Sequence, residues 1–133
     1  MEITRDRRRD PRVRVKVRIE ATDVETGRPH VLHTCNLSIG GARCTSVHPI
    51  REGMLLNGHV FLPLSEAGRD VDVALPVRGR VLRQHAGKGG GPEFALVFDA
   101  MAEADRAELA AYLFDWLADD SITHVDLMAE AGR

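Results

Sequence analysis

From Val13 to Ala21 the chain alternates without interruption. Val13, Val15, Val17, Ile19 and Ala21 share one parity, and Arg14, Lys16, Arg18 and Glu20 the other. A period of two, with apolar, mostly β-branched residues on one side and charges on the other, is a strand with one buried and one wet face. Such a strand buries its apolar side only by pairing and curling with others, so the rest of the chain has to supply them.

It does so at regular intervals. His30–Leu37, Ala42–Val47, Met54–Leu64, Val71–Gln84 and Glu93–Phe98 read as further strands. Turn signals separate them at Thr22–Pro29, Ser38–Gly41, Pro49–Gly53, Ser65–Asp70 and the glycine-rich stretch 86–92. Pro76 inside the fifth strand predicts an edge position or a bulge. From Ala102 the period changes. Leu109, Tyr112, Leu113, Trp116 and Leu117 form a helical stripe that includes both aromatics as core, and Glu103, Asp105 and Glu108 sit in its first turns, where the helix dipole favours acid. Residues 118–133 allow either a short extra helix capped by Ser121 or a frayed tail. The fold expected is all-β: a six-stranded antiparallel barrel with a C-terminal helix closing one end. With 133 residues the chain makes one domain and buries roughly two-thirds of its unfolded surface without staples.

Charge is distributed unevenly. Residues 1–18 hold eight basic residues against Glu2, Asp6 and Asp10, a net of +5, so the remainder carries −7 of the overall −2. Residues 1–12, nearly devoid of apolar side chains, read as a flexible basic arm that meets something anionic or is simply solvated. Residues 13–117 form the barrel and helix, and 118–133 an extension. No apolar run is long enough for a membrane span or follows the N-terminus as a secretory signal, so a cytoplasmic location is expected. Cys35 and Cys44 flank a turn and could face each other across a hairpin. In a reducing compartment the expectation is two free thiols, and a lone pair makes no zinc site.

Other chemistry-bearing residues fall away on inspection. His30 and His33 stand three apart on a strand, hence on opposite faces, and cannot share a metal. His48, His59, His85 and His124 are scattered. The Gly87–Pro92 stretch lacks the phosphate-loop pattern and a following helix, and reads as a hairpin tip. Arg78 and Arg80 share one face and either extend a ligand site or form a charged outer wall. Ser38 has no base held by a third group, and no carboxylates are placed together for acid–base work, so no enzyme, catalytic residue, metal or cofactor is expected.

Two short constellations remain. Arg7, Arg8, Arg9, Asp10, Pro11 and Arg12 lead into the first strand; Asn36, Leu37, Ser38, Ile39, Gly40 and Gly41 turn between the second and third. Together they resemble the PilZ domain family of cyclic di-GMP receptors, which carries an RxxxR motif (here Arg8 and Arg12) and a (D/N)xSxxG motif (here Asn36, Ser38 and Gly41). The resemblance covers about residues 7–117. It implies a PilZ-like split barrel of six strands with a C-terminal helix, binding cyclic di-GMP on its outer surface through Arg7, Arg8, Arg12, Asn36, Ser38, Gly40 and Gly41. Arg7 completes the RRxxxR form, which in that family goes with a stacked pair of ligand molecules.

The residue chemistry suits such a ligand independently. An arginine fork pairs two donors with guanine O6 and N7, grips phosphate bidentately or stacks on a purine. Asn36 offers a carbonyl and an amide to a guanine edge, and Ser38 a hydroxyl. Gly40 and Gly41 permit positive φ and close backbone approach. Asn36 replaces the commoner Asp of the motif, so its bonds are neutral.

Three functions are then weighed. The first is a receptor whose arm folds over cyclic di-GMP and changes a surface read by a downstream effector protein, with motility or biofilm control the usual output. The second is a PilZ-like interaction module acting without nucleotide. The third, a nucleic-acid-binding barrel, is disfavoured by the acidic body and the lack of exposed aromatics on the strands. Partner, ligand stoichiometry and oligomeric state are not written in the sequence.

Overall fold

The structure, a computed structural model, describes residues 12–86 and 92–131. The strands are β1 (Arg18–Asp23), β2 (Pro29–Leu37), β3 (Gly41–Ser46), β4 (Leu55–Glu66), β5 (Arg69–Ala86) and β6 (Pro92–Ala100), followed by one helix, α1 (Glu103–Ala131). They close into a barrel in the order β1-β2-β3-β6-β5-β4, every neighbouring pair antiparallel. This is the all-β, six-stranded barrel with a C-terminal helix that the alternation and the turn spacing predict.

The alternation fixes the inside. Val13, Val15, Val17, Ile19 and Ala21 are all buried, together with Leu32, Leu37, Leu56, Val60, Leu62, Leu75, Val77, Val81, Phe94, Leu96 and Phe98 from the other strands. Burying side chains of this size supplies ~1.5–3 kcal/mol each, the main force holding the barrel closed. Pro76 pairs with His59 of β4, whereas the ladder from β5 to β6 begins only at Arg78. Its missing N–H therefore interrupts no bond to β6, which is the edge position expected of it.

Several boundaries differ from the sequence reading, each for a physical reason. The expected first strand, Val13–Ala21, keeps its inside–outside parity, but the ladder runs only over Arg18–Asp23. Upstream, Val13 makes an isolated bridge to Leu37. The polar loop expected at Ser65–Asp70 contracts to two residues. Glu66 pairs with Arg69, and Ala67 and Gly68 turn the chain with φ of 53° and 77°. Two consecutive left-handed residues are the hairpin turn whose twist matches the flanking strands. Ser121 starts no second helix, since α1 runs through it without a break.

Helix α1 buries Leu109, Tyr112 and Leu113, but Trp116 is 37% exposed and Phe114 64%. The expected stripe thus holds for Tyr112 and fails for Trp116, which lies at its edge. Ala110, Leu113, Phe114 and Leu117 line a small apolar cleft with Ile39. The helix therefore covers the end of the barrel at which the Ser38–Gly41 turn stands. The two thiols are free, Cys44 buried and Cys35 exposed.

Candidate functional site

The geometry around Asn36 comes from two irregularities in the pairing of β2 with its neighbours. On one side, Val13 and Leu37 exchange both backbone bonds, Val13 N–H to Leu37 O at 2.8 Å and Leu37 N–H to Val13 O at 2.9 Å. Further along, Arg18 lies opposite His33. The stretch from Val13 to Arg18 therefore carries one residue more than the stretch of β2 that faces it. On the other side, Thr34 pairs with Cys44 and Asn36 with Arg43, so Cys35 is an extra residue relative to β3. An extra residue re-aims the side chains beyond it along the strand. In a regular strand Asn36 would share the inward face of Thr34; here Cys35 is exposed, Asn36 is half-buried, and Leu37 returns to the core.

The bulge brings Asn36 to the barrel's outer wall, within reach of the root of the arm. Arg12 Nη1 donates to Asn36 Oδ1 at 3.2 Å. Arg14 and Lys16 are exposed beyond it along the same segment. On the far side of Cys35, Arg43 Nη1 pairs with Glu93 Oε1 at 3.3 Å, and the Cys35 thiol lies 3.7 Å from Glu93 Oε2. Partial burial, then the Glu93 carboxylate, push the Cys35 pKa up, so the thiol stays protonated.

The turn is held mainly by its own backbone. Ser38 N–H donates to Gly41 O at 2.8 Å, and the buried Ser38 hydroxyl donates to the same oxygen at 3.2 Å. Phe98 N–H donates to Gly40 O at 2.9 Å, which ties the turn to β6. Positive φ, allowed for at Gly40 and Gly41, is found at neither: among the described residues the left-handed glycines are Gly27, Gly53 and Gly68. The close approach is found, at Gly41, where a Cβ would overlap the backbone carbonyl of Leu96. Gly41 thus serves the packing of β3 on β6.

Of the residues singled out in the sequence, Arg12, Asn36, Ser38, Gly40 and Gly41 come together at one end of the barrel wall, while Arg7 and Arg8 lie outside the described residues, as does the Gly87–Gly91 tip. Arg80 is engaged with Asp99 through two contacts of 3.3 Å, a charged outer wall rather than a free cation. Thr34 is the residue that sequence reasoning missed. It is wholly buried and bonded to both Val15 and Val17, yet in a strand pattern it looks like any β-branched residue.

Two wider concavities among the described residues lie elsewhere. One of about 510 Å³ is lined by Glu20, Pro29, Val31, Asn57, His59 and Pro76 among others, and holds no Arg or Lys. Another of about 490 Å³ adjoins it through Asn57 and Pro76 and reaches Met101 and Asp105. Neither offers the cluster of cations that a dianion requires. Among the described residues no three His, Cys, Asp or Glu gather to hold a metal, and no helix is long and apolar enough to cross a membrane.

Comparison with known proteins agrees with this architecture. The family model for the PilZ domain matches residues 6–115, a span that takes in both motifs. Among solved structures, the Bacillus subtilis inhibitor of motility (MotI/DgrA) superposes with a TM-score of 0.69 at 18% identity over 85% of this chain and 52% of its own. The PilZ domain with c-di-GMP of YcgR from Escherichia coli superposes with a TM-score of 0.61 at 14% identity, over 89% of this chain and 97% of its own. The larger YcgR structure in complex with c-di-GMP gives 0.66 at 16% identity, over 90% of this chain and 50% of its own. The chain thus spans about half the length of MotI and of the larger YcgR structure, and at these identities the likeness is one of fold. A search of the curated proteins finds no match.

Proposed function

This chain belongs to the PilZ domain family, and we propose that within it the chain is a receptor for cyclic di-GMP without catalytic activity of its own. The single observation that carries the reading is the contact between Arg12 and Asn36, 24 residues apart in sequence. It joins the arginine motif to the polar turn on one patch of outer wall.

In this reading the ligand enters between the arm and the turn. Arg12 turns its fork from Asn36 to a guanine edge or a phosphate, exchanging a neutral acceptor for a better one. Asn36 then presents its amide group to the second edge of the guanine. Arg7 and Arg8 supply the remaining charge for two phosphates, and the arm closes over the nucleotide. Ordering the arm costs free energy that the charged contacts must exceed. The closed arm makes a new surface for an effector protein, with motility or biofilm control as the output, in keeping with the inhibitor of motility among its structural neighbours. A cytoplasmic location belongs to the same proposal, since the messenger is soluble there.

Calorimetric titration with cyclic di-GMP tests the reading directly. A binding isotherm and a rise of the melting temperature with ligand are expected, because a ligand that binds only the folded state stabilises it. No heat and no shift at high micromolar nucleotide would overturn the proposal. In that event, a partner retained by an Arg8→Ala, Arg12→Ala double variant would identify a module that works without nucleotide.

A further inference from the structure

Thr34 makes three bonds to a segment that lacks a regular ladder. Its hydroxyl donates to Val15 O at 2.7 Å and accepts from Val17 N–H at 2.8 Å, while its own N–H donates to Val17 O at 3.0 Å. The side chain is wholly buried. These bonds lie at the place where the segment leading into β1 carries its extra residue relative to β2. The hydroxyl thus takes the part of the backbone partners that the irregularity removes.

We infer that Thr34 is a positioning residue for the nucleotide site: its hydroxyl holds the register of the arm root so that Arg12 reaches Asn36. The inference rests on the reading of that site as a cyclic di-GMP receptor. Its reason is geometric. If the regular β1–β2 ladder, in which Arg18 faces His33, continued upstream, Arg14 would stand opposite Leu37 and Arg12 opposite Ile39. Arg14 would then face the core beside Leu37, and Arg12 would be carried past Asn36. Instead Val13 faces Leu37, both of them buried, and Arg12 stands next to the turn. A register slip of one residue flips every side chain to the other face. With valine at position 34, Val15 C=O and Val17 N–H lose their partner in the core, and the irregular register loses what sustains it.

The test compares wild type, Thr34→Val, Thr34→Ser, Arg12→Ala and the Arg12→Ala, Thr34→Val double variant by titration with cyclic di-GMP, each checked for folding by its melting curve. Thr34→Val is expected to weaken binding about tenfold or more, and Thr34→Ser, which keeps the hydroxyl, by less than about threefold. In the Arg12→Ala background Thr34→Val should add less than about threefold, because Thr34 acts through Arg12. A folded Thr34→Val protein that binds like wild type, or one that loses the same factor with and without Arg12, overturns the inference. Thr34→Ala, which cannot overpack, carries the same comparison if the valine variant does not fold. Amide exchange separates this outcome from failure of the receptor reading. If wild type draws no heat, that reading falls. Faster exchange at Val13 and Leu37 in Thr34→Val, with Ile19 and Leu32 unchanged, keeps the positioning role. Unchanged exchange at Val13 and Leu37 removes it.

Discussion

Arg12 and Asn36 meet through one hydrogen bond of 3.2 Å, guanidinium to side-chain carbonyl, at the surface of the barrel. Because both are accessible, the bond contributes little to stability. On the proposed receptor reading, its value lies in holding two ligand-reading groups together before a ligand arrives.

Arg12→Ala is therefore expected to fold normally, with its melting temperature within a degree or two of wild type, yet to lose cyclic di-GMP affinity by on the order of 1.5–3 kcal/mol, the worth of hydrogen bonds to a charged partner. Arg12→Lys should fall between, since an ammonium lacks the planar fork. Calorimetry beside melting curves checks both, and a large loss of stability in Arg12→Ala would contradict the surface role.

Asn36→Asp should bind more tightly. A carboxylate accepts from the guanine N1 and N2 donors with charge assistance, a gain of about 1 kcal/mol or roughly fivefold in affinity. The gain should shrink as salt is raised. Weaker binding at low salt would show that Asn36 meets an acceptor on the ligand instead.

Gly41→Ala tests what this glycine is for. A methyl group there overlaps the Leu96 carbonyl across the β3–β6 ladder. The variant should lose about 1–3 kcal/mol of stability with no ligand present, the usual penalty of overpacking. Urea denaturation without nucleotide reads this; wild-type stability combined with lost binding would instead assign Gly41 to the ligand.

At the other end of the barrel His30 is buried, with neither ring nitrogen partnered among the described residues, and its ring lies edge-on to His48 at 6.5 Å. Burial lowers its pKa below the ordinary 6.5, helped by His48 and Arg28 and opposed by the Asp23 charge. Below its ordinary pKa the unfolded chain binds the proton that the folded one resists, so the stability owed to neutral His30 is complete above pH 6.5 and falls as the pH drops through the folded value. Melting temperatures taken from about pH 7 to about pH 5 should decline, and His30→Leu should flatten that slope. The carboxyl of Asp23, held low chiefly by the Glu25 N–H, adds a further loss at more acid pH, which the His30 variant keeps.

The thiols should separate by access. In the native protein a disulfide reagent is expected to label Cys35 alone, and slowly, because its thiol stays protonated; Cys44, wholly buried, should react only on unfolding. Two equally fast equivalents in the native state would refute the placement of Cys44 inside the barrel.

Much of the barrel was legible because alternation reports burial directly. Every odd residue from Val13 to Ala21 is inside, and Pro76 falls where β6 has not yet joined β5. Register was not legible. Nothing in the sequence around Arg14–Lys16 or at Cys35 announces an extra residue, since a bulge is a relation between two strands and not a property of one. For the same reason Thr34 passed unnoticed, although its hydroxyl is what the irregular segment bonds to. Arg12 and the turn motif stand on one patch, with Arg7 and Arg8 outside the described residues, and the reason Asn36 faces outward lies in Cys35. Trp116 was misplaced because helical period assigns a face, while the width of what that face covers depends on the barrel beneath it.

The wall behind the turn has a consequence for timing. Arg12, Thr34, Asn36 and Ser38 all leave the ribosome before β6 does. The carbonyl of Leu96 against which Gly41 packs and the amide of Phe98 that holds Gly40 are made nearly sixty residues after the glycines they meet. On the proposed reading, a nascent chain thus carries these groups before it has the wall that sets them, and competence for the messenger waits for β6.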